Sequence, residues 1–113
     1  MKLRKKNTLI KKQLVLLCGL LVSMNAYAID GESIYKQTCI ACHGEDGKGL
    51  LPGMPDLTEK QGRLSKDDAV LVKNMRDGYQ SPGSPMAMPA KGGNSKLTDE
   101  DLKNVLQYMR KSF

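Results

Sequence analysis

The sequence holds one histidine, no tryptophan and one phenylalanine in 113 residues. A zinc site of the Cys/His/carboxylate kind needs four ligands, and outside the stretch Cys39-Ile40-Ala41-Cys42-His43 only Cys18 is left as a further thiol or imidazole ligand. Zinc is therefore not expected. No strand-like alternation of useful length, internal repeat or low-complexity tract is present, so the βαβ setting of a thioredoxin-like Cys-x-x-Cys is missing. The apolar run Leu14 to Met24 is eleven residues, against the roughly 20 that a helix needs to cross a bilayer. A permanent membrane anchor is not expected. The segment Gly44-Glu45-Asp46-Gly47-Lys48-Gly49 is glycine-rich but lacks the Gly-Lys-Ser/Thr ending of a phosphate cradle, and reads as a loop.

Acids are absent from the start of the chain. Lys2, Arg4, Lys5, Lys6, Lys11 and Lys12 precede the apolar run, and Ala26-Tyr27-Ala28 follows it. A basic start, a short apolar stretch and a small-x-small site are the layout of a secretory signal peptide. Residues 1–28 are expected to be cleaved after Ala28, leaving residues 29–113 as a single exported, periplasmic domain. Cys18, mid-run behind Leu16-Leu17, lacks the small preceding residue of a bacterial lipidation site and reads as leader filler. The remaining 85 residues carry twelve basic and twelve acidic side chains. The +6 of the full chain thus belongs to the targeting segment and gives no support to nucleic-acid binding.

Against these absences stands Cys39-Ile40-Ala41-Cys42-His43. Two thiols three positions apart and an imidazole at the next position are the groups that fix a haem covalently and ligate its iron. At the end of a helix they stand at i, i+3 and i+4 and share one face. Cys39 and Cys42 are the candidate haem-c thioether ligands and His43 the candidate iron ligand. A domain of 85 residues buries only roughly 60–65 per cent of its unfolded surface. A covalent haem would staple it, and the low aromatic content suits a core whose main flat ring is not an amino acid.

Asp30-Gly31-Glu32 suits the positive end of a first helix that finishes in this motif. Ser65 reads as N-cap of a second helix with Asp67 and Asp68 in its first turn, Ala69, Val72 and Met75 as its buried stripe, and Gly78 as its C′ residue. Thr98 with Asp101 resembles a capping box, Leu97 can staple onto Leu102, and Leu102, Val105, Leu106, Met109 and Phe113 recur at helical spacing. Gly31 would permit this last helix to approach the first closely, with Tyr35 and Tyr108 at the crossing.

With His43 the only histidine, bis-histidine ligation within the chain is excluded. Met75 and Met109 lie on helical stripes and read as core filler. Met54 follows His43 on a short Pro-bounded loop. Met86 and Met88 lie in the long Gly-, Pro- and Ser-rich stretch from Tyr79 to Ser95, a length of loop that usually carries function. Met88 is favoured as sixth ligand because Pro89 stiffens the chain beside it; Met86 is a pocket residue or the alternative ligand.

Cys39-x-x-Cys42-His43, Pro55-x-Leu57, Met88-Pro89-Ala90-Lys91-Gly92-Gly93 and the closing Tyr108-Met109 helix together resemble a small bacterial class I cytochrome c, near the c-five-like group. The resemblance spans Ile29 to Phe113. It implies an all-α fold of short helices around one covalently bound haem c, His/Met axial ligation and electron carriage between membrane complexes. The Pro55 carbonyl would accept the hydrogen bond of the His43 Nδ1 proton. A monomer is expected, with redox partners such as a cytochrome bc complex or a terminal oxidase. One rival reading is a haem sensor or peroxidase-like enzyme with a labile sixth ligand, for which only Arg63, Arg76 and Arg110 could stand in for a distal group. The other is a dedicated electron-transfer subunit of one dehydrogenase or oxidase. Lys48, Lys91 and Lys96 could rim the haem edge, but read equally as solvated lysines.

Overall fold

The computed structural model describes residues 29–113; the leader and its cleavage site lie outside the described residues. Asp30 opens the first helix as its side chain accepts a hydrogen bond from the Ser33 backbone N–H at 2.9 Å. This helix, α1 (residues 31–43), has three consecutive parts: Gly31–Ile34 is α-helical, Tyr35–Cys39 is a π-helical turn, and Ile40–His43 is α-helical again. The wide turn is closed by the Ile40 N–H donating to the Tyr35 carbonyl. Helix α2 is Asp68–Asp77 and helix α3 is Asp99–Ser112, with 3-10 turns at Arg63–Ser65 and Ala90–Gly93. Among the described residues the extended pairing is a single antiparallel bridge, Tyr79 with Met88.

The core gathers one face from each helix. Ile34 and Tyr35 come from α1, Val72 and Met75 from α2, and Leu102, Val105, Leu106 and Met109 from α3, with Leu57 and Leu97 closing it from the loops. Each fully buried aliphatic side chain of this kind contributes about 1.5–3 kcal/mol. The α1–α3 crossing is close because Gly31 has no side chain: a β-carbon there would lie 2.2 Å from the Asn104 carbonyl oxygen. Tyr35 and Tyr108 pack beside it with ring centroids 5.6 Å apart.

Helix α3 starts as expected. The Thr98 hydroxyl accepts from the Asp101 N–H while the Asp101 carboxylate accepts from the Thr98 N–H, a complete capping box. Helix α2 starts later than expected. Ser65 closes the preceding 3-10 turn, where its hydroxyl donates to the Gly62 carbonyl at 2.7 Å, and Asp67 takes the cap position. Ala69 is exposed; the inward face is Leu71, Val72 and Met75. Arg110 of α3 straps this region down, donating to the carbonyls of Leu64 (3.0 Å) and Lys66 (2.6 Å) and to the Asp68 carboxylate.

Candidate haem-binding site

The three helices, the stretch between α1 and α2 and the loop after α2 line an open cavity of about 450 Å³ whose wall is mostly apolar. Cys39, Cys42 and His43 all line it, so the π-helical turn and the α-helical turn after it deliver the motif to one surface. The motif's backbone is held firmly. The Gly49 N–H donates to the His43 carbonyl at 2.8 Å and the Leu50 N–H to the Cys42 carbonyl at 3.0 Å. The Tyr35 hydroxyl donates to the Gly44 carbonyl at 2.6 Å.

Burial, and secondarily the neighbouring Cys42, pushes the Cys39 thiol up to about 11. Both thiols are free, with no disulfide between them. Burial lowers the His43 pKa, which keeps the imidazole neutral and its lone pair available to a metal. Its Nδ1 is buried and makes no hydrogen bond. Pro55 lines the same cavity, yet the expected hydrogen bond from Nδ1 to its carbonyl is not formed here.

Met88 reaches the wall from the long loop. Its backbone is pinned from both sides, its N–H donating to the Tyr79 carbonyl at 2.7 Å and its carbonyl accepting from the Tyr79 N–H at 3.0 Å. Gly78, at φ 84, ends α2 and makes room for this: a β-carbon there would lie 3.0 Å from the Met88 carbonyl oxygen. Met88 is half-buried, whereas Met86 is 42 % exposed, though both line the cavity. Met54, Met75 and Met109 line it too, the last two from within the core.

Arg63, named above only as one of three arginines that could serve as a distal group, is joined on the wall by Ser81 and Tyr79. Among the described residues, Arg63 carries the one permanent charge on the cavity wall. Its guanidinium donates to the Ser81 hydroxyl at 2.6 Å and sits 5.7 Å from the centroid of the Tyr79 ring. It forms no ion pair with a carboxylate among the described residues. Ser81 lies 18 residues away and Tyr79 16, so only the fold unites them with Arg63. An apolar cavity, two free thiols, a neutral buried imidazole with an unpaired Nδ1 and one unpaired cation together fit an apolar ring that bears carboxylates and a metal. That is the description of a haem.

A family model described as cytochrome C oxidase, cbb3-type, subunit III matches residues 26–109. The chain belongs to the cytochrome c family. Among similar proteins, cytochrome c-555 of Chlorobaculum tepidum is 38% identical over 97 residues, covering 80% of this chain and 84% of that protein. Cytochrome c-551 of Pseudomonas aeruginosa is 32% identical over 96 residues, covering 84% and 88%. The cbb3-type cytochrome c oxidase subunit FixP of Bradyrhizobium diazoefficiens is 34% identical over 94 residues, covering 82% of this chain but 30% of FixP. The protein is a small class I monohaem cytochrome c, an electron-transfer protein. Its cofactor is covalently bound haem c, and Cys39, Cys42 and His43 have the spacing that attaches it. Among the described residues no helix of this cytochrome is long and apolar enough to cross a membrane.

Proposed function

We propose that this cytochrome is an exported electron carrier whose haem iron is held between His43 and Met88, and that it passes single electrons between respiratory complexes. The observation that carries the ligand assignment is the Tyr79–Met88 bridge, which fixes the Met88 backbone on the wall it shares with His43, while Met86 stays more exposed. When bound, the haem supplies one iron that alternates between the ferric and ferrous states. Cys39 and Cys42 tether it through two thioethers, and His43 presents a neutral imidazole. The Met88 thioether is a soft ligand that favours the ferrous state and raises the potential. Pro55, on the same wall, is the acceptor assigned to the His43 Nδ1 proton, which should then exchange slowly with solvent by NMR.

For partners the reading is a cytochrome bc complex as donor and a terminal oxidase as acceptor. The names of FixP and of the CcoP subunits of Rhodobacter capsulatus, 30% and 26% identical, support the oxidase side. The same relatives favour a second reading, a dedicated electron-entry subunit of one oxidase, because this chain matches less than a third of each. Export through residues 1–28 predicts that the mass of the mature protein corresponds to a chain starting at Ile29, and a retained leader would contradict it.

The deciding measurement is the visible spectrum of the ferric holoprotein. A weak long-wavelength band from an iron–methionine bond is expected, lost in Met88→Ala and kept in Met86→Ala. High-spin ferric haem that readily binds carbon monoxide once reduced would overturn the reading in favour of a sensor or enzyme.

A further inference from the structure

Segment 44–49, which follows His43, reads Gly-Glu-Asp-Gly-Lys-Gly and has no apolar side chain with which to anchor itself in a core. Yet this loop holds the backbone of the haem motif: the Gly49 N–H donates to the His43 carbonyl, and the Leu50 N–H just beyond it to the Cys42 carbonyl. Glu45, Asp46 and Lys48 are exposed, whereas Gly44 and Gly47 are buried. The cover over Gly47 comes from the residue after α3. A β-carbon on Gly47 would lie 2.8 Å from Cγ and 2.9 Å from both Cδ atoms of Phe113, so the ring lies against the glycine itself. Phe113 is fixed in turn by Tyr35, at 5.4 Å between ring centroids, by Tyr108, at 6.4 Å, and by its own N–H donating to the Met109 carbonyl at 2.9 Å. From Gly47 the contact passes on to the stretch that bears Pro55. The Gly47 carbonyl accepts from the N–H of Leu57, a core residue two positions after Pro55, at 2.8 Å.

We infer that Phe113 is a positioning residue for the His43 imidazole: through Gly47, its ring holds in one register the loop that bonds the His43 carbonyl and the stretch Pro55 to Leu57. This rests on the reading of His43 as iron ligand and Pro55 as acceptor of its Nδ1 proton, and adds the side chain that keeps the two together. A ring over a glycine keeps water from the backbone hydrogen bonds beside it. Without that ring, a loop of glycines and charged residues regains backbone freedom and solvation, and opens locally while the helices stay folded. Such opening exposes the Nδ1 proton.

The test is exchange of the His43 Nδ1 proton in the ferrous holoprotein, followed by NMR as a ratio to exchange of the Met75 backbone amide, which lies in α2 and reports opening of the core. Phe113→Ala should raise this ratio about tenfold or more. Phe113→Leu, which keeps apolar cover without a flat face, should raise it by less, and Phe113→Tyr, which keeps the ring, should restore the parent's value. Val105→Ala truncates a buried residue of α3 that does not line the cavity. It should lower Tm yet leave the ratio within about twofold of the parent. An unchanged ratio in Phe113→Ala or Phe113→Leu, or an equal rise in Val105→Ala, overturns the inference, while slow Nδ1 exchange and the iron–methionine band of the parent leave the ligand reading standing. Fast Nδ1 exchange already in the parent overturns the Pro55 assignment and the inference together.

Discussion

Tyr35 shows how one side chain can serve both core and site. It is 1 % exposed, packs on Tyr108 and Phe113, and donates its hydroxyl to the carbonyl of Gly44, the residue after His43. The phenol therefore braces the backbone that carries the imidazole. Burial, then the charges of Cys39, Tyr108 and Asp46, pushes its pKa up to about 12. A phenol raised in the folded state favours folding while neutral. Its contribution is complete below its unfolded pKa of about 10 and is lost as pH climbs from there toward about 12. Alkaline denaturation of the parent should thus have a limb in that window that Tyr35→Phe flattens. At neutral pH, Tyr35→Phe should cost about 1–3 kcal/mol by orphaning the Gly44 carbonyl, measured by guanidinium unfolding. An unchanged midpoint would contradict the bracing role.

At the scale of the elements, the tight contact is between α1 and α3. Gly31→Ala adds a β-carbon where the Asn104 carbonyl already lies, and should cost about 1–3 kcal/mol despite alanine's better helix propensity. In a domain this size each kcal/mol lowers Tm by roughly 4–8 °C, so calorimetry should see a drop of at least a few degrees, and a rise would show that the helices can part without strain. Both ends of this contact are readable from sequence, because Asp30, Thr98 and Asp101 act on backbone groups within three residues of themselves. The start of α2 is harder to read, since Ser65 satisfies a local carbonyl one turn too early and Asp67 makes no side-chain cap. Helical spacing puts Ala69 inside, yet it is exposed: an alanine is apolar enough to read as core and small enough to be left outside. The cysteines and histidine of the site are a local pattern. Its Arg63–Ser81–Tyr79 wall is not, because residues 16 and 18 positions apart from Arg63 are brought together only by the folded chain.

For the molecule as a whole, the helices pack on one another through one face each and leave a cavity beside that core. The apolar lining of the cavity of about 450 Å³ is surface that a bound haem would bury. The chain and its haem should therefore fold as one unit. Cys39→Ala or Cys42→Ala is expected to weaken haem retention and leave the apo-chain largely unfolded, followed by far-UV circular dichroism; a cooperative, fully helical apoprotein would contradict this. The π-helical turn Tyr35–Cys39 then acquires an engineering meaning. Deleting one residue within it would turn α1 into a regular helix, which is the better-bonded structure. The wide turn spreads one extra residue over about the same rotation, so Cys39, Cys42 and His43 would keep nearly their present phase relative to Gly31–Ile34. The turn thus absorbs one extra residue without turning the attachment residues away from the cavity that they line.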